Sequence, residues 1–485
     1  MGLLKGGLTG HPRRGILGGD RGLDMELLAV QEKALEAARG KPGFAYYMEM
    51  GLGKTLTALT EFLDLTLDKR ATRLVVICPN SFKTGWLDEI GKHGLKVHPH
   101  IFNSGSDYEN GQFLKFKYDK PPVLIINYEA IRKDETRDYI RKFTENRNCM
   151  LVVDESIQIK TYNSQQTKAV LAMTWMFAYV RILSGKPVTQ GPHDLWAQMR
   201  AINAISTKYH PFKTTFCRMG GFRGKKVVGT QNEELLAAKI EKFIFRASKA
   251  DWTDLPEKMY TSRQYQLTPK LADQYRSMED EFVLWLNETE NVAVDAFITK
   301  YIKLAQIQSG FIIKEDGNIE ELVPPEANPR FTLVREIIEE TTGKVIVPYI
   351  HRYTLSLLQR ALASYNPTFI SGGMEPEEIQ ANKDKFNNDP NCRVILVQTR
   401  AGKYGHTLLG KGDIADKCST MVFAENSYSL DDRSQIEDRM HRHGQTESCL
   451  YIDVWGTRLD HKVTLALQAK ESIAQAVFQY FGKKA

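Results

Sequence analysis

The sequence predicts an α/β protein of two lobes, each built on a doubly wound parallel sheet, with a helical insertion in the second. Three observations predict it. Short, unbroken apolar runs recur in both halves, among them Leu74-Val75-Val76-Ile77, Met150-Leu151-Val152-Val153 and Val394-Ile395-Leu396-Val397, as strands covered on both faces require. Stretches of helical spacing separate them. At 485 residues the chain is also too long for one core, so two or three domains are expected.

Composition narrows the class. Hydrophobic residues at 42% and charged residues at 26% exclude a disordered chain. A formal net charge of +6 permits a nucleic-acid partner without demanding one. The six cysteines are scattered with no pair at metal-ligand spacing, which reads as reduced thiols packed as small core residues. No apolar run reaches membrane-spanning length and the N-terminus lacks a signal peptide's apolar stretch, so no membrane partner is expected. Residues 1–22, rich in Gly with several Arg and Lys, read as a flexible basic tail. The expected domains are that tail, a first lobe over 23–258 and a second over 259–485, with the insertion at about 268–335.

Leu27 to Ala38 has the pattern of an amphipathic helix carrying Gln31, either a surface residue or, as an amide with donor and acceptor, a reader of an adenine edge. Phe44 to Met48 reads as a buried strand, and Leu56 to Leu63 as a helix. Between them stands Met50-Gly51-Leu52-Gly53-Lys54-Thr55. Strand, glycine loop, Lys-Thr and helix make a phosphate cradle: the glycines let backbone N–H groups approach an anion, Lys54 reaches the β/γ-phosphates and Thr55 can hold Mg²⁺. Met48 occupies the usual first glycine position, and an ordinary glycine-rich turn is the competing reading.

The runs Arg73–Pro79 and Val123–Tyr128 follow as buried strands ending in polar or aromatic groups, and Asn80–Trp86 opens a helix. Ligands of open α/β sheets bind beyond the carboxyl ends of the strands, so these ends are placed for ligand work or serve as caps and turns. Asp154 and Glu155 close the strand Met150–Val153. Adjacent carboxylates there are costly unless they meet a cation or water. Beside a phosphate cradle, Asp154 would hold Mg²⁺ and Glu155 would orient or deprotonate the attacking water; without one, an N-cap is the default. Ser184-Gly185-Lys186-Pro187 ends a further strand, as a turn or as a γ-phosphate sensor.

In the second half, Gln264–Pro269 looks like a strand leading into helices, Leu271 to Gln308 is helical in pattern, and Pro324, Pro325 and Pro329 break it off. Lys344–Tyr349 begins a second sheet. The run from Val394 breaks into the basic loop Thr399-Arg400-Ala401-Gly402-Lys403-Tyr404-Gly405. In Gln435–Gln445, Arg439 and Arg442 share a face if helical; a solvated basic helix is the alternative.

The order of these segments resembles superfamily 2 helicases, specifically the Swi/Snf-like DNA translocases, over nearly everything after the tail. Glu49–Thr55 looks like their motif I, Gln31 like the adenine-reading Gln, Cys78–Trp86 like motif Ia and Asp154–Lys160 like motif II. Ser184–Pro187 with Leu195-Trp196 is similar to motif III, Thr399–Gly405 to motif V and Gln435–Gln445 to motif VI. The resemblance implies two RecA-like lobes facing each other across a cleft, with ATP and Mg²⁺ as cofactors. It implies catalytic roles for Lys54, Glu155, Gln435, Arg439 and Arg442, and ATP contacts from Gln31 and from Met50, Gly51, Leu52, Gly53, Lys54 and Thr55. Mg²⁺ would sit on Thr55 and Asp154. Nucleic-acid contacts would come from Asn80, Ser81, Lys83, Trp86, Tyr128, Thr399, Arg400, Gly402, Lys403 and Gly405, and coupling from Ser184, Gly185 and Lys186. The implied track is double-stranded DNA held by its backbone, for remodelling of DNA or protein–DNA complexes in replication, recombination or repair. A monomer is expected, possible partners being other replication or recombination proteins, in a bacterial or phage-infected cytoplasm, or in a nucleus if eukaryotic. A duplex-unwinding helicase on DNA or RNA and an ATP-gated clamp with little turnover are the alternatives. Ile157 stands where the family often has His, and Lys186 where Thr is common; both positions link ATP state to the polymer groove.

Overall fold

The computed structural model describes residues 27–189, 191–220, 226–252, 255–288, 294–314, 316–402, 407–427, 429–442 and 444–468. The tail over 1–22, Lys403 and Gly405 lie outside them, and so does the side chain of Ser81. The chain divides into two compact units between Trp252 and Thr253.

The first unit is a seven-stranded sheet. Its strands are β1 (Gly43–Met48), β2 (Arg73–Cys78), β3 (His98–Ile101), β4 (Pro122–Asn127), β5 (Cys149–Val153) and β6 (Tyr179–Leu183), with β9 (Ile244–Ala247) following a small antiparallel hairpin, β7 (Cys217–Gly220) and β8 (Lys226–Thr230). The order is β3-β4-β2-β5-β6-β1-β9 with every pairing parallel. Alternation within each run supplies two cores. Phe44, Tyr46 and Met48 of β1 join one with Met150 and Val152 of β5, while Ala45, Tyr47, Leu151 and Val153 join the other. That is why the apolar runs are unbroken.

The topology also places the chemistry. β6 lies between β1 and β5, so three carboxyl ends sit side by side: β1 runs into the glycine loop, β6 into Ser184 and β5 into Asp154.

The second unit holds a six-stranded parallel sheet, β10 (Lys258–Gln264), β13 (Lys344–Tyr349), β14 (Thr368–Ile370), β15 (Val394–Gln398), β16 (Cys418–Phe423) and β17 (Cys449–Trp455), ordered β10-β17-β16-β13-β15-β14. The helices Pro269–Glu288 and Val294–Gln308 precede a short antiparallel hairpin, β11 (Phe311–Ile313) and β12 (Ile319–Glu321), which the sequence reading missed. Leu271, Tyr275, Phe282, Leu304 and Ile307 of the two helices pack with Leu459 and Val463 of the helix Arg458–Gln468.

A buried charge network ties this insertion to the sheet. Glu425 accepts hydrogen bonds from Ser309 Oγ (2.6 Å), Thr354 Oγ1 (2.7 Å), and the Ile350 and His351 N–H groups (2.7 and 3.0 Å), with His351 Nδ1 at 3.1 Å. Arg330 donates to Tyr265, Ser309, Gln308 and Asp460.

One expectation is corrected. The strand expected over Gln264–Pro269 is instead β10, which ends at Gln264. The condition under which Arg439 and Arg442 would share a helical face is not met, because the helix Leu430–Glu437 ends before Arg439. Arg439 itself closes that helix. Its Nε donates to the Gln435 carbonyl at 3.0 Å, the acceptor its own N–H would have used, and that N–H turns to Ile436 O at 3.0 Å.

All six cysteines are buried and unbridged. No helix among the described residues is long and apolar enough to cross a membrane, and no group of three or more metal-ligating side chains occurs among them.

Candidate nucleotide site

The glycine loop turns twice through left-handed backbone, at Gly51 (φ 90°) and Gly53 (φ 77°), before the helix α2, Lys54–Leu67. Gly53 is favoured by its backbone, and a larger residue would also have to push the Gln31 amide aside. A side chain disfavours that φ, and an added Cβ would stand 2.1 Å from Gln31 Nε2. The N-terminus of a 14-residue helix, the end that favours an anion, opens directly from this turn. Lys54 is buried, and its ammonium donates to the Met48 carbonyl at 2.8 Å.

Gln31 lies on α1, Ala29–Ala38, and is buried rather than at the surface. Its Oε1 accepts from Leu28 N at 2.8 Å, capping α1, and its Nε2 donates to Gly53 O at 3.2 Å. The amide thus joins α1 to the glycine loop with one N–H and one lone pair used.

Asp154 is 3% exposed. Its Oδ2 accepts from the indole N–H of Trp86 at 3.0 Å, its Oδ1 from Glu155 N at 2.9 Å, and its backbone carbonyl from the Tyr128 hydroxyl at 2.7 Å. Burial and then the neighbouring Glu155 charge push its carboxyl up to about 7, against the opposing pull of Trp86 and Lys54. Such a carboxylate fits a divalent cation, whose charge would ionise it. Glu155 is held at φ 49°, ψ 54°, in the left-handed region.

The β6 end closes the group. Lys186 N donates to Ser184 Oγ at 3.2 Å, and a Cβ on Gly185 would lie 3.5 Å from Met50 N and 3.6 Å from Lys54 Nζ. Glycine loop, carboxylates and the Ser184–Lys186 segment are thus brought together within one unit.

The expected polymer contacts are not all surface groups. Trp86 (1% exposed) on α3, Lys83–Lys92, and Tyr128 (3%) are buried beneath Asp154, and Thr399 (2%) donates its hydroxyl to Tyr349 O at 3.1 Å. These three side chains support the strand ends from within rather than lying at the surface. Asn80 is exposed; Lys83 is half-buried, with desolvation lowering its pKa. Arg400 is open to solvent, with its Nε 3.7 Å from Asp432 Oδ2, and Gly402 ends the short helical turn Thr399–Gly402. In the second unit Arg439 is buried, while Gln435 and Arg442 are half-buried.

The sequence reading missed Gln198, a buried amide that bonds Ser156 and the Pro187 carbonyl. Its only signal was a polar residue on a helix whose Leu195, Ala197, Met199 and Ala201 are all core.

The protein-family model described as the SNF2-related domain matches residues 45–310, and that of the helicase conserved C-terminal domain matches residues 329–444. A Caenorhabditis elegans homolog of SWI/SNF-related matrix-associated actin-dependent regulator of chromatin subfamily A-like protein 1 is 26% identical over 421 residues, covering 82% of this chain and 54% of the relative. A Mycoplasma pneumoniae protein named as an uncharacterized ATP-dependent helicase is 23% identical over 406 residues, covering 82% and 36%. The chain thus spans about half or less of the length of these curated relatives. The solved Sulfolobus solfataricus SWI2/SNF2 ATPase core in complex with dsDNA is 22% identical, covering 95% of each chain at a TM-score of 0.42. With the SNF2-related model matching more than half of its residues, the chain belongs to the SNF2-related family of helicase-like ATPases.

Proposed function

We propose that this chain hydrolyses ATP and couples the hydrolysis to movement along double-stranded DNA, remodelling DNA structures or protein–DNA complexes. The observation that carries the hydrolytic part is the convergence of Lys54, Asp154–Glu155 and Ser184–Lys186 at adjacent strand ends. Backbone N–H groups of the glycine loop and the start of α2 hold the phosphates. Lys54 leaves the Met48 carbonyl for the β/γ-phosphates. Thr55 and Asp154 would hold Mg²⁺, which supplies positive charge against the phosphate oxygens. Glu155 orients the water and takes its proton. The family resemblance supports Gln435, Arg439 and Arg442 as further participants in the reaction; an arginine acting on the transferred phosphate contributes about 10³–10⁵ in rate. Phosphoryl transfer depends on positioning and charge stabilisation, which these residue types supply.

DNA as the track is supported by the family. Exposed Asn80 and Arg400, and half-buried Lys83, remain the candidates for backbone contact among the described residues.

The test is steady-state ATP hydrolysis with no polymer, duplex DNA, single-stranded DNA or RNA, with Lys54→Ala as the blank. Turnover that Lys54→Ala abolishes and that duplex DNA stimulates is the expected result. Turnover retained in Lys54→Ala refutes the site, and stimulation by RNA or single strands alone refutes the duplex track.

A further inference from the structure

Gln198, on the helix Leu195–Ala201, has no solvent exposure. Its Oε1 accepts from the Tyr47 hydroxyl at 3.0 Å and from Ser156 Oγ at 2.8 Å; its Nε2 donates to Pro187 O at 2.8 Å and Asp194 O at 3.0 Å. Two accepted and two donated bonds exhaust what a side-chain amide offers. The orientation is fixed by its partners, because a flipped amide would set oxygen against two carbonyl oxygens.

The partners outside its own helix turn sit beside the groups that do the chemistry. Tyr47 precedes Met48, whose carbonyl holds Lys54. Ser156 follows Glu155 in the left-handed turn. Pro187 follows Ser184–Lys186. The network extends through Asp194, whose Oδ2 accepts from Thr189 N at 2.7 Å and Oγ1 at 3.1 Å, and Thr189 Oγ1 accepts from Lys160 Nζ at 2.8 Å.

We propose that Gln198 is a positioning residue that locks these three segments to one another, so that it sets the rate of turnover and not the affinity for nucleotide. The proposal rests on the ATPase reading of this site. The phosphate cradle is made by backbone N–H groups that Gln198 does not touch. The direction of the Glu155 carboxylate, by contrast, follows from the Asp154–Ile157 turn that the Ser156 hydroxyl anchors to this amide. A displacement of about 1 Å at a reacting group costs on the order of 10²-fold in rate. An apolar side chain of equal length at 198 would also deprive the Tyr47 and Ser156 hydroxyls and the Pro187 carbonyl of the amide they bond.

The experiment compares wild type, Gln198→Met, Ser156→Ala, the double variant and Lys54→Ala, with duplex DNA present. It measures kcat and KM for ATP, binding of a fluorescent ATP analogue, and thermal melting. Gln198→Met should lose roughly 10–100-fold in kcat with KM and analogue binding within about twofold. Ser156→Ala should lose several-fold, and the double variant no more than Gln198→Met alone. A folded Gln198→Met with wild-type kcat overturns the proposal, as does a loss of analogue binding equal to the loss of kcat. Should Gln198→Met fail to fold, Ser156→Ala and Tyr47→Phe, each lacking one hydroxyl, decide it: wild-type kcat in both overturns the proposal, and a several-fold loss with binding intact supports it. Wild-type turnover no greater than that of Lys54→Ala overturns the ATPase reading itself, and the proposal with it.

Discussion

Trp86→Phe removes one atom group of known function, the indole N–H that donates to Asp154 Oδ2 at 3.0 Å in a site where the carboxylate is 3% exposed. A hydrogen bond to a charged group contributes about 1.5–3 kcal/mol. At about 1.4 kcal/mol per pKa unit, its loss makes ionisation of Asp154 harder by roughly one to two units. The carboxyl already stands at about 7, through burial first and Glu155 second. The variant therefore needs a more alkaline solution to reach the same fraction of carboxylate. The assay is the pH dependence of ATP hydrolysis at limiting Mg²⁺, where protons compete with the cation for Asp154, with the acid limb in Trp86→Phe displaced upward by about one to two units. Superimposable profiles would refute the argument. The nucleotide-free chain offers a second reading. In the fold Asp154 keeps its proton up to about pH 7, whereas its ordinary value is 3.8. Between those limits the folded state binds more protons than the unfolded one, so this group's contribution is present at low pH and is lost as pH rises. Urea midpoints against pH should show that Asp154→Asn abolishes this component of the slope; an unchanged slope would sink the assignment. Because Trp86 is buried, Trp86→Phe should also leave the duplex concentration for half-maximal stimulation unaltered.

Gly53→Ala combines a left-handed backbone cost of about 1–2 kcal/mol with displacement of Gln31, and nucleotide binding measured by analogue fluorescence should weaken at least tenfold; unchanged binding would contradict the close approach of Gln31 to the loop. Glu155→Gln should bind ATP and hydrolyse it hardly at all, and a near-wild-type kcat in single-turnover measurements would remove its role in activating water. Glu425→Gln takes the charge from a carboxylate that burial alone would raise but that His351, Ser309 and Arg330 hold well below the usual range. It should cost about 3–5 kcal/mol in a denaturant melt at neutral pH. The wild-type contribution is present above the ordinary carboxylate pKa and fades as acid protonates the group, so the two proteins should converge on acidification. A parallel pair of stability curves would refute that.

Much of this molecule was legible because parallel strands covered on both faces must be apolar throughout. β2, β4, β5, β13 and β15 announce themselves in that way, and the glycine loop and carboxylate pair then fall at strand ends. β10 was misplaced for the same reason. As the outermost strand of its sheet it is mostly exposed, and Lys258-Met259-Tyr260-Thr261-Ser262-Arg263-Gln264 carries no buried face to read. Trp86 and Tyr128 were placed among the polymer contacts through the resemblance, because a motif gives the end of the sheet but not the direction of a side chain. Gln198 was silent because three of its four partners, Tyr47, Ser156 and Pro187, lie outside its own helix and are brought to its amide only by the tertiary fold. The end of the helix before Arg439 depends on a side chain competing with its own backbone for one carbonyl, a contest that helical periodicity does not record.

The left-handed backbone at Glu155 has an evolutionary consequence. A carboxylate residue there carries a conformational cost that Gly would relieve and Asn would lessen, and both substitutions would make the chain easier to fold. Random drift under selection for folding alone would therefore tend to erase this glutamate, while selection for turnover restores it. Among descendants of this sequence, Gly or Asn at position 155 would mark lineages that had kept the scaffold after giving up the reaction.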